Sequence, residues 1–239
     1  MSQFNISPEE VSKLEVKFEI KSNERKLKNF LKSLTFVALV AMSIYHFYAS
    51  GFGTIRDILH RGIQISCVVG LVFLFYNWKS FYDDKSKRKV PILDIIFSIL
   101  VVITALYLPF LPPEILASRV GNPSSTEVIM GSILIILTLE AARRSIGYTL
   151  PLICVIFMIF ALYGPIFPGA LKHGGSSWAG FVNHIYITNQ GIYGIAVGVM
   201  AQYVFLFILF GVLATRIGLG QLFIDLAMVI AGRYSGGPA

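Results

Sequence analysis

An all-α integral membrane protein, with about six transmembrane helices plus interfacial amphipathic helices, is the fold class this sequence predicts. Only 14% of its residues are charged, against roughly 25% in an average soluble domain. Uncharged or nearly uncharged runs recur at 33–49, 62–78, 95–113, 145–171 and 185–215, and about 20 mostly apolar residues suffice for a helix to cross the hydrocarbon core. The basic residues are sorted between alternate connections: sixteen of the twenty Lys and Arg fall on one side if each run is a crossing.

Residues 1–31 are polar and charged. Ser7, Pro8 and Glu10 occupy the N-cap, N1 and N3 places of a capping box, so a short cytoplasmic helix with a solvated face is expected there. No apolar signal-peptide core precedes the first span, which therefore doubles as the targeting signal and stays in the mature chain. The connection "KSFYDDKSKRKVP" between spans two and three is a charged loop closed by Pro91. The connection "LPFLPPEILASRVGNPSS" after span three is dense in proline and turn residues and reads as an ordered loop.

A fourth span lies at 124–142, apolar from Val128 to Leu139 but trimmed at its margins by Glu127 and Glu140. The segment "LTLEAARRSIGYTLP" that follows concentrates charge between two apolar runs. On a helix Glu140 faces Arg143 and Arg144 at i+3 and i+4, the favourable order for a carboxylate ahead of a guanidinium. Pairing lowers the cost of an acid near the membrane edge. Gly147 and Pro151 then break the helix, so Glu140, Arg143, Arg144 and Pro151 read as a structural hinge rather than a reactive site.

Span five is expected from residue 145 to about Tyr163, where Pro165 and Pro168 end it. In "SSWAGFVNHIYITNQG", Trp178, Phe181, Val182, Ile185 and Tyr186 share one helical face and leave Asn183 and His184 on the other. That spacing predicts an amphipathic helix in the outer interface. In span six Gly194 and Gly198 form a small-xxx-small pair for close helix packing, and Gln202 is the strongly polar side chain at membrane depth. Beyond Arg216 a second amphipathic helix, with Gln221 and Asp225 as its polar members, precedes the terminal "YSGGPA".

The positive-inside rule puts the sixteen basic residues, and with them the N-terminus, in the cytoplasm. The formal charge of +7 is then topology, with anionic lipid head groups as partner and no nucleic acid implied. Cys67 and Cys154 both sit in apolar runs, which argues against a disulfide framework. His46, His60, His173 and His184 lack metal-ligand spacing, and the chain has no HExxH, GxSxG or P-loop motif. No catalytic residue and no cofactor follow from these patterns.

The stretches "LEAARRSIGYTLPLICVIFMIFALYGPIFPG", "YITNQGIYGIAVGVMAQYVFLFILFGVLATRIGLGQLFIDLA" and "AGRYSGGPA" resemble the fused membrane permease subunit of tripartite ATP-independent periplasmic (TRAP) transporters, of the TAXI-associated type. The likeness covers nearly everything after residue 30 and corresponds to the N-terminal portion of that subunit. It implies residues 32–144 as a four-helix small-subunit-like module and 145–239 as the start of the large-subunit permease domain, with scaffold and arm helices. It also implies a bacterial or archaeal inner membrane, a periplasmic solute-binding protein of TAXI type as partner, sodium as coupling ion and an organic acid as solute. Substrate and sodium sites are then expected beyond residue 239, in a missing downstream permease region. The alternative is a truncated scaffold or anchor that assembles with a partner without transporting.

Overall fold

The computed structural model describes residue 25, residue 27, and residues 29–53, 56–78 and 90–231. The expected N-terminal helix at Ser7–Glu10, most of the charged loop after span two and the terminal glycines lie outside the described residues. The described elements are all helical, and no strand occurs among the described residues.

The elements are α1 (Asn29–Phe52), α2 (Asp57–Phe75), α3 (Ile92–Phe110), α4 (Pro113–Arg119), α5 (Ser125–Ile146), α6 (Thr149–Leu162), α7 (Trp178–Val182), α8 (Ile195–Val199), α9 (Phe205–Arg216) and α10 (Leu219–Ala231). Helix α7 runs on as a π-helical turn over Asn183–Ile187, and a second π segment, Met200–Val204, joins α8 to α9. Among the described residues five helices are long and apolar enough to cross a membrane: Phe30–Phe52, Asp57–Phe75, Ile92–Phe110, Ser125–Ile146 and the continuous Ile195–Arg216.

The expected fifth span is the exception. Helix α6 has 14 residues, about 21 Å at 1.5 Å per residue, short of the roughly 30 Å core. Its beginning is consumed by the turn at Gly147, whose φ of +100° ends α5, and its end by the 3₁₀ turn Gly164–Ile166. Pro151 sits in its first turn, where a missing N–H costs nothing.

The other boundaries are where charge is absorbed locally. Pro91 precedes α3. Ser124 caps α5 reciprocally with Glu127: the Ser124 backbone N–H donates to Glu127 Oε2 at 2.6 Å and the Glu127 N–H to Ser124 Oγ at 3.4 Å. That box, with Arg119 Nε 3.4 Å from Glu127 Oε1, lets the acid start the helix while 2% exposed.

The core lies among α2, α3 and α5, where Ile65, Phe73, Val101, Leu108, Leu134 and Leu137 are buried. Two glycines bring backbones together, as expected where lipid leaves helix packing to close contact. A Cβ on Gly62 would stand 2.6 Å from Pro109 Cγ on α3, and one on Gly131 of α5 would stand 2.5 Å from Val182 Cγ1 and 2.8 Å from the Tyr186 ring. Helix α7 is thereby seated on α5. In contrast α6 and α9 bury no residue, leaving faces such as Leu152, Ile156, Phe207 and Phe210 exposed as lipid-facing helices would.

The face expected for α7 needs one correction. Trp178 is exposed, while Asn183 is buried: its amide donates to Arg119 O at 2.8 Å and its Oδ1 accepts from the Gly121 N–H at 3.0 Å. The wider π turn changes the phase of the side chains, so Asn183 joins the buried face and ties α7 to the loop after α4.

Candidate functional site

Two polar constructions stand out, one at each end of the α2–α3–α5 bundle. At the basic end Glu140 meets both arginines that follow it. Arg143 Nε and Nη2 donate to its two oxygens at 2.7 Å each, and Arg144 Nε donates to Oε1 at 2.7 Å. Arg144 also reaches across to α3, donating from Nη1 to Asp94 Oδ1 at 2.8 Å. The other oxygen of Asp94 is paired with Arg25, which further donates to Asn77 Oδ1 and, at 3.1 Å, to Phe73 O.

Three guanidinium groups thus share two carboxylates, and four helices or their flanks converge on them. Arg25, Asp94 and Arg144 are at most 5% exposed. Rings close the remaining faces: Arg144 Cζ lies 4.8 Å from the Phe73 centroid, and Arg143 Cζ lies 4.8 Å from that of Trp78 and 5.2 Å from that of Tyr148. Such an arrangement holds charge without reacting, because every carboxylate oxygen is already engaged by a cation. Sequence reasoning found Glu140, Arg143 and Arg144 but missed Asp94, Arg25 and Asn77, which lie far away along the chain.

At the opposite end two tyrosines clip the second half of the chain to α3. Tyr186 donates its hydroxyl to Thr104 O at 2.6 Å, and Tyr193 donates to Ala105 O at 2.8 Å. Both rings are fully buried. The Ala105 carbonyl is available because the residue four positions on is Pro109, which has no N–H to give it. Arg61 of α2 completes the clip, donating from Nη1 to Tyr193 O at 2.6 Å. Burial first, and for Tyr186 its phenol neighbours Tyr193 and Tyr107 next, push both hydroxyls above the ordinary tyrosine range, so they stay protonated donors.

The small residues singled out in span six separate here. Gly198 packs against Arg61, whose Nε would lie 3.1 Å from an added Cβ. Gly194 is instead the N-cap of α8, tight against the Gly191 carbonyl of its own turn. Gln202 lies half-buried on the π segment. Pro151 is not part of the charge knot but follows it in the first turn of α6. Among the described residues no three His, Cys, Asp or Glu side chains converge in a way that could hold a metal ion.

Residues 133–239 match the family model for the tripartite ATP-independent periplasmic transporter, DctM component. The matched region opens inside α5, upstream of residue 145, and takes in Glu140, both arginines, the two tyrosines and all later helices. No curated protein and no solved structure matches the chain.

Proposed function

We propose that this chain is part of the membrane permease of a TRAP transporter and that it supplies scaffold rather than the transport site. The observation that carries the reading is the DctM family match over residues 133–239. Five helices fit to cross a membrane, each in a chain with 14% charged residues, support it.

In this reading residues 32–144 are a small-subunit-like module and 145–239 open the large-subunit permease domain. The charge knot and the tyrosine clip are what a static scaffold needs. The tyrosine clip cross-links the two segments, the charge knot ties α3 to α5 within the first, and every carboxylate of the knot is already paired. The moving element would then work against this fixed body. The finer assignments come from the sequence resemblance: a solute-binding protein of TAXI type as partner, sodium as coupling ion, an organic acid or other small anion as solute, and a cytoplasmic N-terminus in a bacterial or archaeal inner membrane. The sorting of sixteen of twenty basic residues to one side supports that orientation.

The test is uptake into proteoliposomes. The chain is reconstituted with the downstream large-subunit permease region, in which the resemblance places the transport site, together with the binding protein. Uptake of an organic acid that requires both the binding protein and an inward sodium gradient is the expected result. Uptake indifferent to sodium removes the coupling ion from the proposal, and none at all with or without the sodium gradient removes transport.

A further inference from the structure

Helix α1 and the last span are the two least embedded of the five spanning candidates. The buried residues of α1 are Thr35, Met42, His46 and Ala49, a single narrow seam. His46 is fully buried, six residues or about 9 Å from the Phe52 end of α1. Its Nδ1 is 2.8 Å from Met42 O, so that nitrogen carries the hydrogen and donates. The other nitrogen, Nε2, is buried without a hydrogen-bond partner, and so is Oε1 of Gln64 on α2. A buried polar atom left unpaired demands an explanation.

The surroundings are a joint between three helices. The His46 ring lies 5.0 Å from that of His60 on α2 and 4.4 Å from that of Phe205, which opens α9. His60, 2% exposed, has Nδ1 3.2 Å from Tyr45 Oη of α1. The last span meets this joint through its π segment, where Ala201 is buried. π-helical turns recur at functional positions. The titratable and charged groups that face the pair are Tyr45 from α1, and Asp57 and Arg61 from α2, which bring opposite charges to His60. The last span presents Ala201 and Phe205, which bring none.

We propose that His46 is a proton-binding site at membrane depth, clasping α1 to α2 and the last span while its imidazole is neutral and releasing α1 when it takes up a proton. The Gln64 amide can turn either its oxygen or its nitrogen to Nε2, so either protonation state can be hydrogen-bonded. The charge is another matter. An imidazolium at His46 would stand among Met42, Phe205 and the second imidazole, with no carboxylate paired to it among the described residues, whereas hydrated head groups are about six residues away along α1. With so narrow a seam holding α1, outward movement of that helix is the lower-cost response. This inference does not depend on the transport reading.

The test places nitroxides on the full chain in nanodiscs, at Tyr48→Cys on α1 and Phe207→Cys on α9, both exposed positions. Native Cys67 and Cys154 are replaced by alanine. Spin–spin distances are compared between pH 8 and pH 5, the window in which histidine changes charge. The expected result is a reversible lengthening on the scale of one helical turn, about 5 Å, that is absent in His46→Phe. Should His46→Phe fail to fold, His46→Gln keeps a polar side chain that cannot titrate and is expected to abolish the shift equally. An unchanged distance in the wild-type chain, or a shift that persists in the His46 variant, overturns the proposal.

Discussion

The hydroxyl of Tyr193 donates at 2.8 Å to the carbonyl of Ala105, the one acceptor in α3 that Pro109 leaves without its backbone donor. The two halves of the chain are thus joined by a defect in one and a donor in the other. Removing the hydroxyl by Tyr193→Phe should destabilise the chain by about 1–3 kcal/mol, the cost of leaving a buried carbonyl unpaired. Pro109→Ala restores a backbone N–H for that carbonyl, so Tyr193→Phe should cost less in the Pro109→Ala background. A double-mutant cycle on thermal unfolding in detergent measures the difference, and a coupling indistinguishable from zero would show that the hydroxyl is not filling the proline gap.

The contact of α7 with α5 depends on the missing side chain at Gly131. An alanine methyl there would begin 2.5 Å from Val182 Cγ1 and 2.8 Å from the Tyr186 ring, so something must shift. Gly131→Ala is expected to cost about 1–3 kcal/mol, as overpacking does. Trimming the nearer neighbour with Val182→Ala should return part of it. If Gly131→Ala unfolds at the wild-type temperature, the close seating of α7 is wrong.

How much of this was legible follows from sequence separation. Glu140 with Arg143 and Arg144 could be read because helix geometry alone brings i+3 and i+4 together. Their link to Asp94 spans 50 residues, and that of Asp94 to Arg25 spans 69, so only tertiary packing creates them. In the sequence Asp94 looks like a charge at a span margin, with nothing to say it is buried. Pro109 does carry a signal: a proline inside an apolar helix announces an orphan carbonyl four residues earlier, which calls for a side-chain donor such as a tyrosine hydroxyl. For α6 hydropathy suggests a full span because it records apolar length and not where Gly147 and Gly164 turn the chain. A 3.6-residue period puts Asn183 on the solvent face because it does not anticipate a π turn.

The charge knot should respond unevenly to deletion. Asp94→Ala leaves the buried Arg25 and Arg144 facing each other without their shared carboxylate and is expected to cost about 3–5 kcal/mol. Arg143 is more open, with 16% of its side chain accessible, and Glu140 keeps Arg144 when it is lost. Arg143→Ala should therefore cost no more than about 1 kcal/mol. Added salt should shrink the Arg143 effect and leave that of Asp94 unchanged, since screening reaches exposed charges first. Equal losses for the two variants would show that the buried core of the knot is not where its energy resides.

Alkali should act on the tyrosine clip. In the unfolded chain Tyr186 and Tyr193 ionise near the ordinary value of about 10, whereas burial holds both above it in the folded chain. Above that ordinary value the unfolded state releases protons that the folded state retains, so stability falls as pH rises, and below it these two residues contribute no pH dependence. Thermal unfolding followed from pH 8 upward should show this decline beginning near the free-tyrosine range. The double variant Tyr186→Phe, Tyr193→Phe should start from a lower stability but decline less steeply, because two of the groups that drive the loss are gone. A decline of equal slope in that variant would place the alkaline sensitivity elsewhere among the eleven tyrosines or in the arginine pairs, and would remove the argument that these two phenols are sequestered.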